Sequence, residues 1–287
     1  MHVDALVCAR IKRLAPQMPC VFTAWGHIPP SVLHGDYAKA FPVMDGFTSD
    51  SKAVLDELHT VPGTEHIRDH IFRFGVDHTR FRKTDDSQLI LRELNLPNDA
   101  FLIFSARSLR STYNHETLIH AMPMIVESIP SAHFLFVNAH GHRYSDAAAY
   151  IEKIKEMIAA RGVLERVRFI EHISHDRISK YYSAANVTIS IPIEDSFPAT
   201  IFEAMACESP LVVPDLPDYA GVVDSTCAML IQPTDHEGLA QAVITLARDQ
   251  KPRESLISNG LQIARTHGNL DFEVDRLMEF YQEVAGV

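Results

Sequence analysis

The chain has 287 residues, 46% hydrophobic and 22% charged, the balance of an ordinary globular protein long enough for two domains. Its 26 Lys and Arg stand against 37 Asp and Glu, a formal net charge of −11 that repels a polyanion and sets nucleic-acid binding aside as the main task. Cys8, Cys20, Cys207 and Cys227 form no C-x-x-C pair and read as reduced, mostly buried thiols of a cytoplasmic protein. The opening MHVDALVCARIKR lacks the layout of a signal peptide, and no apolar run is long enough to span a bilayer.

Taken in chain order, strand-like runs are predicted at Ala5–Cys8, Cys20–Ala24, Gly46–Thr48 and Ile71–Phe74, with Ser49 or Asp50 capping a helix through SKAVLDELH. The polar link HTRFRKTDDSQ puts a boundary near Arg82, so residues 1–82 and 83–287 are expected to form separate domains. Further strands are predicted at Phe101–Ala106, His133–Asn138, Val167–Ile170, Val187–Ile193, Leu211–Pro214 and Ala228–Gln232. Helix-period segments separate most of them. In DAAAYIEKIKEMIAARG, Tyr150, Ile151, Ile154, Met157 and Ile158 share one face and Gly162 closes the helix. HDRISKYYSAA is a second such segment, and TDHEGLAQAVITLARD, capped by Thr234 or Asp235, is a third. Pro123, inside HETLIHAMPMIVESI, is expected to kink or stop its helix. The last helix, about 270–285, puts Phe272, Leu277 and Phe280 on one face and is expected to pack back on the first domain. Strands joined by helices require parallel pairing and right-handed crossovers, which is a doubly wound α/β architecture.

VTISIPI is apolar on both faces, as a central parallel strand should be, so Asp195 is expected just beyond its carboxyl end, the edge where open α/β sheets bind ligands. SFPATIFEAMA then opens a helix, with Ser196 as cap and Pro198 in the first turn. Its free amides and partial positive charge suit an anion such as a diphosphate. Glu203, about two turns in, can accept from a vicinal diol, and Asp195 from the hydroxyls of a sugar. Spacing alone leaves the plainer reading open: a turn residue and a solvated helix charge. Arg107, past the end of another predicted strand, and Arg110 can clamp phosphate oxygens on the same edge.

Sixteen histidines invite a metal, but neither the His66 and His70 pair nor His140 and His142 has a third ligand at recognised spacing, and no metal is expected. AHGHRY follows a strand and can border the pocket. In TAWGHIPP, His27 follows a strand and is a candidate cleft residue, whereas Trp25 is expected in the core.

SIPIEDSFPATIFEAMACESPLVVPDLPD resembles the nucleotide-sugar site of retaining group-1 glycosyltransferases of the GT-B fold: an acid, a turn, then Glu-Ala-Met-Ala and a strand. FGVDHTRF, SARSLRSTYNHETLIHA and ISKYYSAANVTISIP are similar to further segments of that family. The resemblance implies two Rossmann-like domains with parallel sheets, the first incomplete here, because the chain opens at what looks like a middle strand. It implies a nucleoside-diphosphate sugar as donor substrate, no cofactor and no metal. Arg107 and Arg110 would meet the diphosphate, Glu203 the ribose and Asp195 the sugar. Ser196, Phe197, Pro198, Ala199 and Thr200 would offer backbone contacts, Ile173 would lie near the base, and His27 would touch donor or acceptor. The acceptor is left open as carbohydrate, lipid or small molecule, and no basic amphipathic helix supports docking on a membrane. Two departures stand out. Tyr113 and Asn114 occupy the region of the family's usual Lys, and Glu208 replaces the usual Gly after Ala-Met-Ala-Cys. The rivals are a nucleotide-sugar-binding module without turnover and an epimerase on the same scaffold.

Overall fold

The computed structural model describes residues 2–137 and 147–286. After helix α1 (His2–Leu14), the chain lays down β1 (Val21–Ala24), the short α2 (Pro30–Leu33), β2 (Gly46–Ser49), α3 (Lys52–His59) and β3 (Arg68–Ile71). These strands form a parallel sheet in the order β1-β2-β3. Next come α4 (Ser87–Glu93), β4 (Phe101–Ser108), α5 (His115–Ser128), β5 (Ala132–Val137), α6 (Ala147–Ala160), β6 (Val167–Ile170), α7 (Ile178–Ala184) and β7 (Val187–Ile189). The chain ends through α8 (Ala199–Ala206), β8 (Leu211–Pro214), β9 (Met229–Ile231), α9 (His236–Arg248), α10 (Gln250–His267) and α11 (Leu270–Ala285). The second sheet is parallel throughout, ordered β6-β5-β4-β7-β8-β9. The strand order reverses between β4 and β7, and crevices for ligands open at such a reversal.

Apolar side chains cover both faces of this sheet. Leu118, Met122, Ile154, Ile158, Leu239 and Val243 bury one, from α5, α6 and α9. Ile90, Tyr182, Ile201, Met205 and Ala264 bury the other, from α4, α7, α8 and α10. A third core around Phe22, Phe41, Phe47, Leu55 and Leu58 fills the first sheet. Among the described residues no helix is long and apolar enough to cross a membrane.

Several sequence expectations are corrected. Ala5–Cys8 lies inside α1, because Ala5, Cys8, Ala9 and Ile11 bury one helical face; a short apolar run does not by itself separate strand from helix. The third strand is Arg68–Ile71 rather than Ile71–Phe74. Pairing with β2 sets its place at the sheet edge, so polar Asp69 and His70 are tolerated there. β7 stops at Ile189 instead of Ile193; Pro192 has no N–H to donate to a ladder. α5 runs through Pro123 without stopping, held by the buried Leu118, Ile119, Met122 and Ile125. Ser51, not Ser49 or Asp50, caps α3, accepting from the Ala53 amide. Asp235 caps α9 and Gly162 takes a positive φ after α6, as read. Trp25 is 36% exposed and stacks on Phe74, and Phe272 on α11 is exposed, while Phe280 is buried.

Two backbone positions matter. Val76 bridges Asn269 where the chain passes between the sheets. A Cβ on the neighbouring Gly75 would fall 2.5 Å from the Leu270 amide nitrogen, so only glycine permits that close pass. α11 then returns to the first sheet: Phe280 stacks on His70 at 5.3 Å, and Glu273 accepts the Arg73 amide at 3.0 Å. At the end of α8, the Glu208 amide bonds Met205 O and the Ser209 amide bonds Ala204 O. This Schellman close puts Glu208 at φ 56°, a position that favours glycine. Glu208→Gly is expected to stabilise the fold by about 1 kcal/mol, read as a raised midpoint of thermal unfolding; an unchanged or lowered midpoint contradicts it.

Candidate functional site at the sheet reversal

The β4–β5 pairing slips between Ser105 and Ser108, and this irregular stretch carries Arg107. Such slips re-aim a side chain beside a site. Arg107 is buried, and its guanidinium pairs with Asp195 at 2.9 Å and lies 3.9 Å from the centre of the Tyr113 ring. His115 steadies the segment by donating its Nε2–H to the Arg107 carbonyl at 3.3 Å. Burial pushes His115 down to about 4, so the ring is neutral at pH 7. Asn114, in the left-handed region at φ 51°, donates to the carbonyls of Ile191 and Pro233 at 3.0 and 2.7 Å. The residues near the family's usual Lys therefore do structural jobs: Tyr113 faces the Arg107 cation and Asn114 ties three loops together.

Burial drives the Asp195 carboxyl above its usual range, against the opposing pull of Arg107. Burial is the largest single influence on Arg107 and lowers it, but Asp195, Tyr113 and Tyr219 together outweigh it, and the guanidinium is held firmly protonated. Three residues past Asp195, Pro198 is the N-cap of α8, with no side-chain cap. That corrects the expected role of Ser196, whose hydroxyl instead donates to Asp50 of the first sheet at 2.8 Å. The Ile201 amide bonds the Pro198 carbonyl at 3.2 Å, which leaves the first two amides of α8, those of Ala199 and Thr200, without a carbonyl partner within the helix, and the Thr200 hydroxyl oxygen there is buried without a partner. Ala199 opens the helix. The ring of Phe197 packs in the core against Phe202 and Tyr219, leaving its backbone as the part that can face a ligand.

Glu203 lies inside α8. Its Oε2 accepts from Tyr182 at 2.7 Å, and Tyr182 is fully buried edge-on to Phe104. Burial raises Glu203, while the Tyr182 bond and the charges of His175 and Arg107 oppose that rise. The Ile173 side chain belongs to the apolar core beyond β6. Arg110 begins the short turn Ser111–Tyr113 past β4 and is half-buried. The stretch AHGHRY lies outside the described residues. His70 is taken up by its stack on Phe280.

From the first sheet, His27 follows β1 and reaches the same edge. Its Nδ1 meets Glu57 at 2.5 Å and its Nε2 lies 3.4 Å from Asp218, which follows β8. Asp218 also accepts from the Ser51 hydroxyl. The structure thus gathers Arg107, Asp195 and Ser196, and brings His27 to their edge. It adds Asp50, Glu57, Tyr182 and Asp218, which sequence reading missed. Asp50 and Asp218 follow strands and were discoverable by the strand-end rule; Glu57 and Tyr182 sit mid-helix and carry no such mark.

A reversed parallel sheet, with a cation and an open helix end at the reversal, is an α/β arrangement whose strand ends can accommodate an anion. Residues 86–262 match the model of the family described as glycosyl transferases group 1, and the chain belongs to that family. It is 29% identical over 242 residues to a D-inositol 3-phosphate glycosyltransferase of Thermomonospora curvata, covering 82% of this chain and 55% of that relative. The chain thus spans about half the length of that curated relative. Among solved structures, sucrose-phosphate synthase from Thermosynechococcus elongatus superposes with TM-score 0.83 at 20% identity, over 99% of this chain and 72% of that one. Anabaena HepE in complex with UDP-glucose gives 0.84 at 17% identity, over 99% and 77%. The fold is GT-B.

Proposed function

We propose that the chain binds a nucleoside-diphosphate sugar and transfers the sugar to an acceptor with retention of anomeric configuration. The observation that carries this reading is the meeting of Arg107 and Asp195 at the reversal, beside the open end of α8. In this reading the α8 amides and Arg107 take the diphosphate, Glu203 takes the ribose, and Asp195 and His27 face the transferred sugar. The bond from the sugar's anomeric carbon to the diphosphate oxygen breaks while a bond to the acceptor oxygen forms on the same face. The acceptor proton passes to the departing phosphoryl oxygen, and the charge developing there is stabilised by Arg107 and fixed dipoles. The binding groups are all supplied by the protein, so the reading needs neither metal nor cofactor. Residues 83–287 hold the donor and 1–82 contribute the acceptor side. The four free cysteines suit a reducing, cytoplasmic setting. The UDP-glucose in the HepE structure supports a nucleotide sugar as the donor class.

Calorimetric titration with UDP, GDP and ADP, followed by assays of sugar transfer and donor hydrolysis, tests the reading. Absence of binding to every nucleoside diphosphate sinks it. A second reading, donor binding without turnover, is separated from the first by the same assays. Binding with neither transfer nor hydrolysis selects it.

A further inference from the structure

We infer that Glu57 is a positioning residue for His27, fixing which imidazole nitrogen faces the cleft and keeping an N–H there for an oxygen of the bound substrate. The inference rests on the glycosyltransferase reading above and deepens it. Glu57 stands on α3, whose Val54, Leu55 and Leu58 are buried, so the carboxylate sits on an anchored element rather than on a loop. Both of its oxygens are used. Oε1 meets His27 Nδ1 at 2.5 Å, and Oε2 accepts the Ile28 amide at 2.9 Å. One carboxylate therefore clamps both the ring and the backbone beside it.

An ionised carboxylate only accepts, so His27 Nδ1 must carry the hydrogen of that bond. The ring's other nitrogen is thereby turned to the strand-end edge, where Asp218 lies 3.4 Å away. That is long for an N–H···O bond, so an Nε2–H is not tightly committed to its protein neighbour. Glu57 on α3 and Asp218 on the turn after β8 are the ionisable groups facing the ring. Burial alone would lower His27, but the Glu57 bond and the charges of Asp218 and Glu57 reverse this, and the imidazolium is favoured. An imidazolium whose Nε2–H is held only loosely by Asp218 suits a phosphoryl or hydroxyl oxygen that is gaining charge. In Glu57→Gln the remaining carbonyl can keep the Ile28 amide, but the side chain loses its charge and its obligatory acceptor role toward Nδ1.

The test uses the whole chain. The His27 ring is followed by nitrogen-15 NMR across pH in the wild type, Glu57→Gln and Glu57→Asp. Hydrolysis or transfer from the nucleotide sugar that the wild type accepts is measured over the same range. Expected for the wild type is an Nδ1–H ring that stays protonated to higher pH than a free histidine. Glu57→Gln should titrate lower and lose rate by roughly tenfold near neutrality, its alkaline fall moving to lower pH. Nucleoside-diphosphate affinity should stay within about twofold, which a general structural defect would not spare. Glu57→Asp should recover part of the rate. An unchanged ring titration in Glu57→Gln overturns the inference, as does a shifted titration with the rate profile intact. If the wild type turns over no nucleotide sugar, the reading above fails and this inference falls with it. If the wild type is active and Glu57→Gln matches it, this inference alone falls.

Discussion

Arg107→Ala is expected to cut sugar transfer by about 10²–10³, the usual loss when one fixed donor to a developing charge is removed. It should also destabilise the protein, because Asp195 would be left buried without its cation. Breaking a buried pair from one side costs about 3–5 kcal/mol, a large share of a typical domain's stability. Protonation of Asp195 limits that cost, since burial already favours its neutral form. The two effects separate in the double variant Arg107→Ala with Asp195→Asn. Thermal unfolding should largely recover there, because no charge is stranded, while transfer should not. Initial rates and unfolding midpoints on the three proteins decide the matter. If the single variant transfers sugar at the wild-type rate, Arg107 has no part in the chemistry.

Glu203→Ala is expected to weaken nucleoside-diphosphate binding by roughly 1–3 kcal/mol, measured by calorimetry. Glu203 is the acceptor for the Tyr182 hydroxyl, so the alanine variant also strands a buried donor. Glu203→Gln keeps an oxygen for Tyr182 and should spare stability while still losing affinity, because an amide offers a diol fewer acceptor sites than a carboxylate. Equal loss of affinity and stability in both variants would point to packing alone. Unchanged affinity in both would remove Glu203 from the ribose contact.

The second sheet was readable because its central strands are apolar on both faces, and helix-period segments separate most of them. The first sheet was read less well: Arg68–Ile71 pairs as a strand despite Asp69 and His70, and α1 looked like a strand over four residues. α10 went unseen because its described buried residues, Leu256, Gly260 and Ala264, make too thin a stripe to register as a period. Arg107 and Asp195 were legible by position at strand ends. Their pairing was not, nor were the links that cross between the sheets. Ser196 reaches Asp50 across 146 residues and Ser51 reaches Asp218 across 167, separations over which no local pattern can speak.

The return of α11 to the first sheet sets an order of events during synthesis. Glu273 accepts the Arg73 amide from 200 residues further along the chain. At about 5–20 residues per second, that partner emerges from the ribosome roughly 10–40 s after Arg73 does. Through that interval the earliest-made strands lack their final cover. A nascent chain arrested before Leu270 should therefore be cut by protease near β3 while its larger sheet resists.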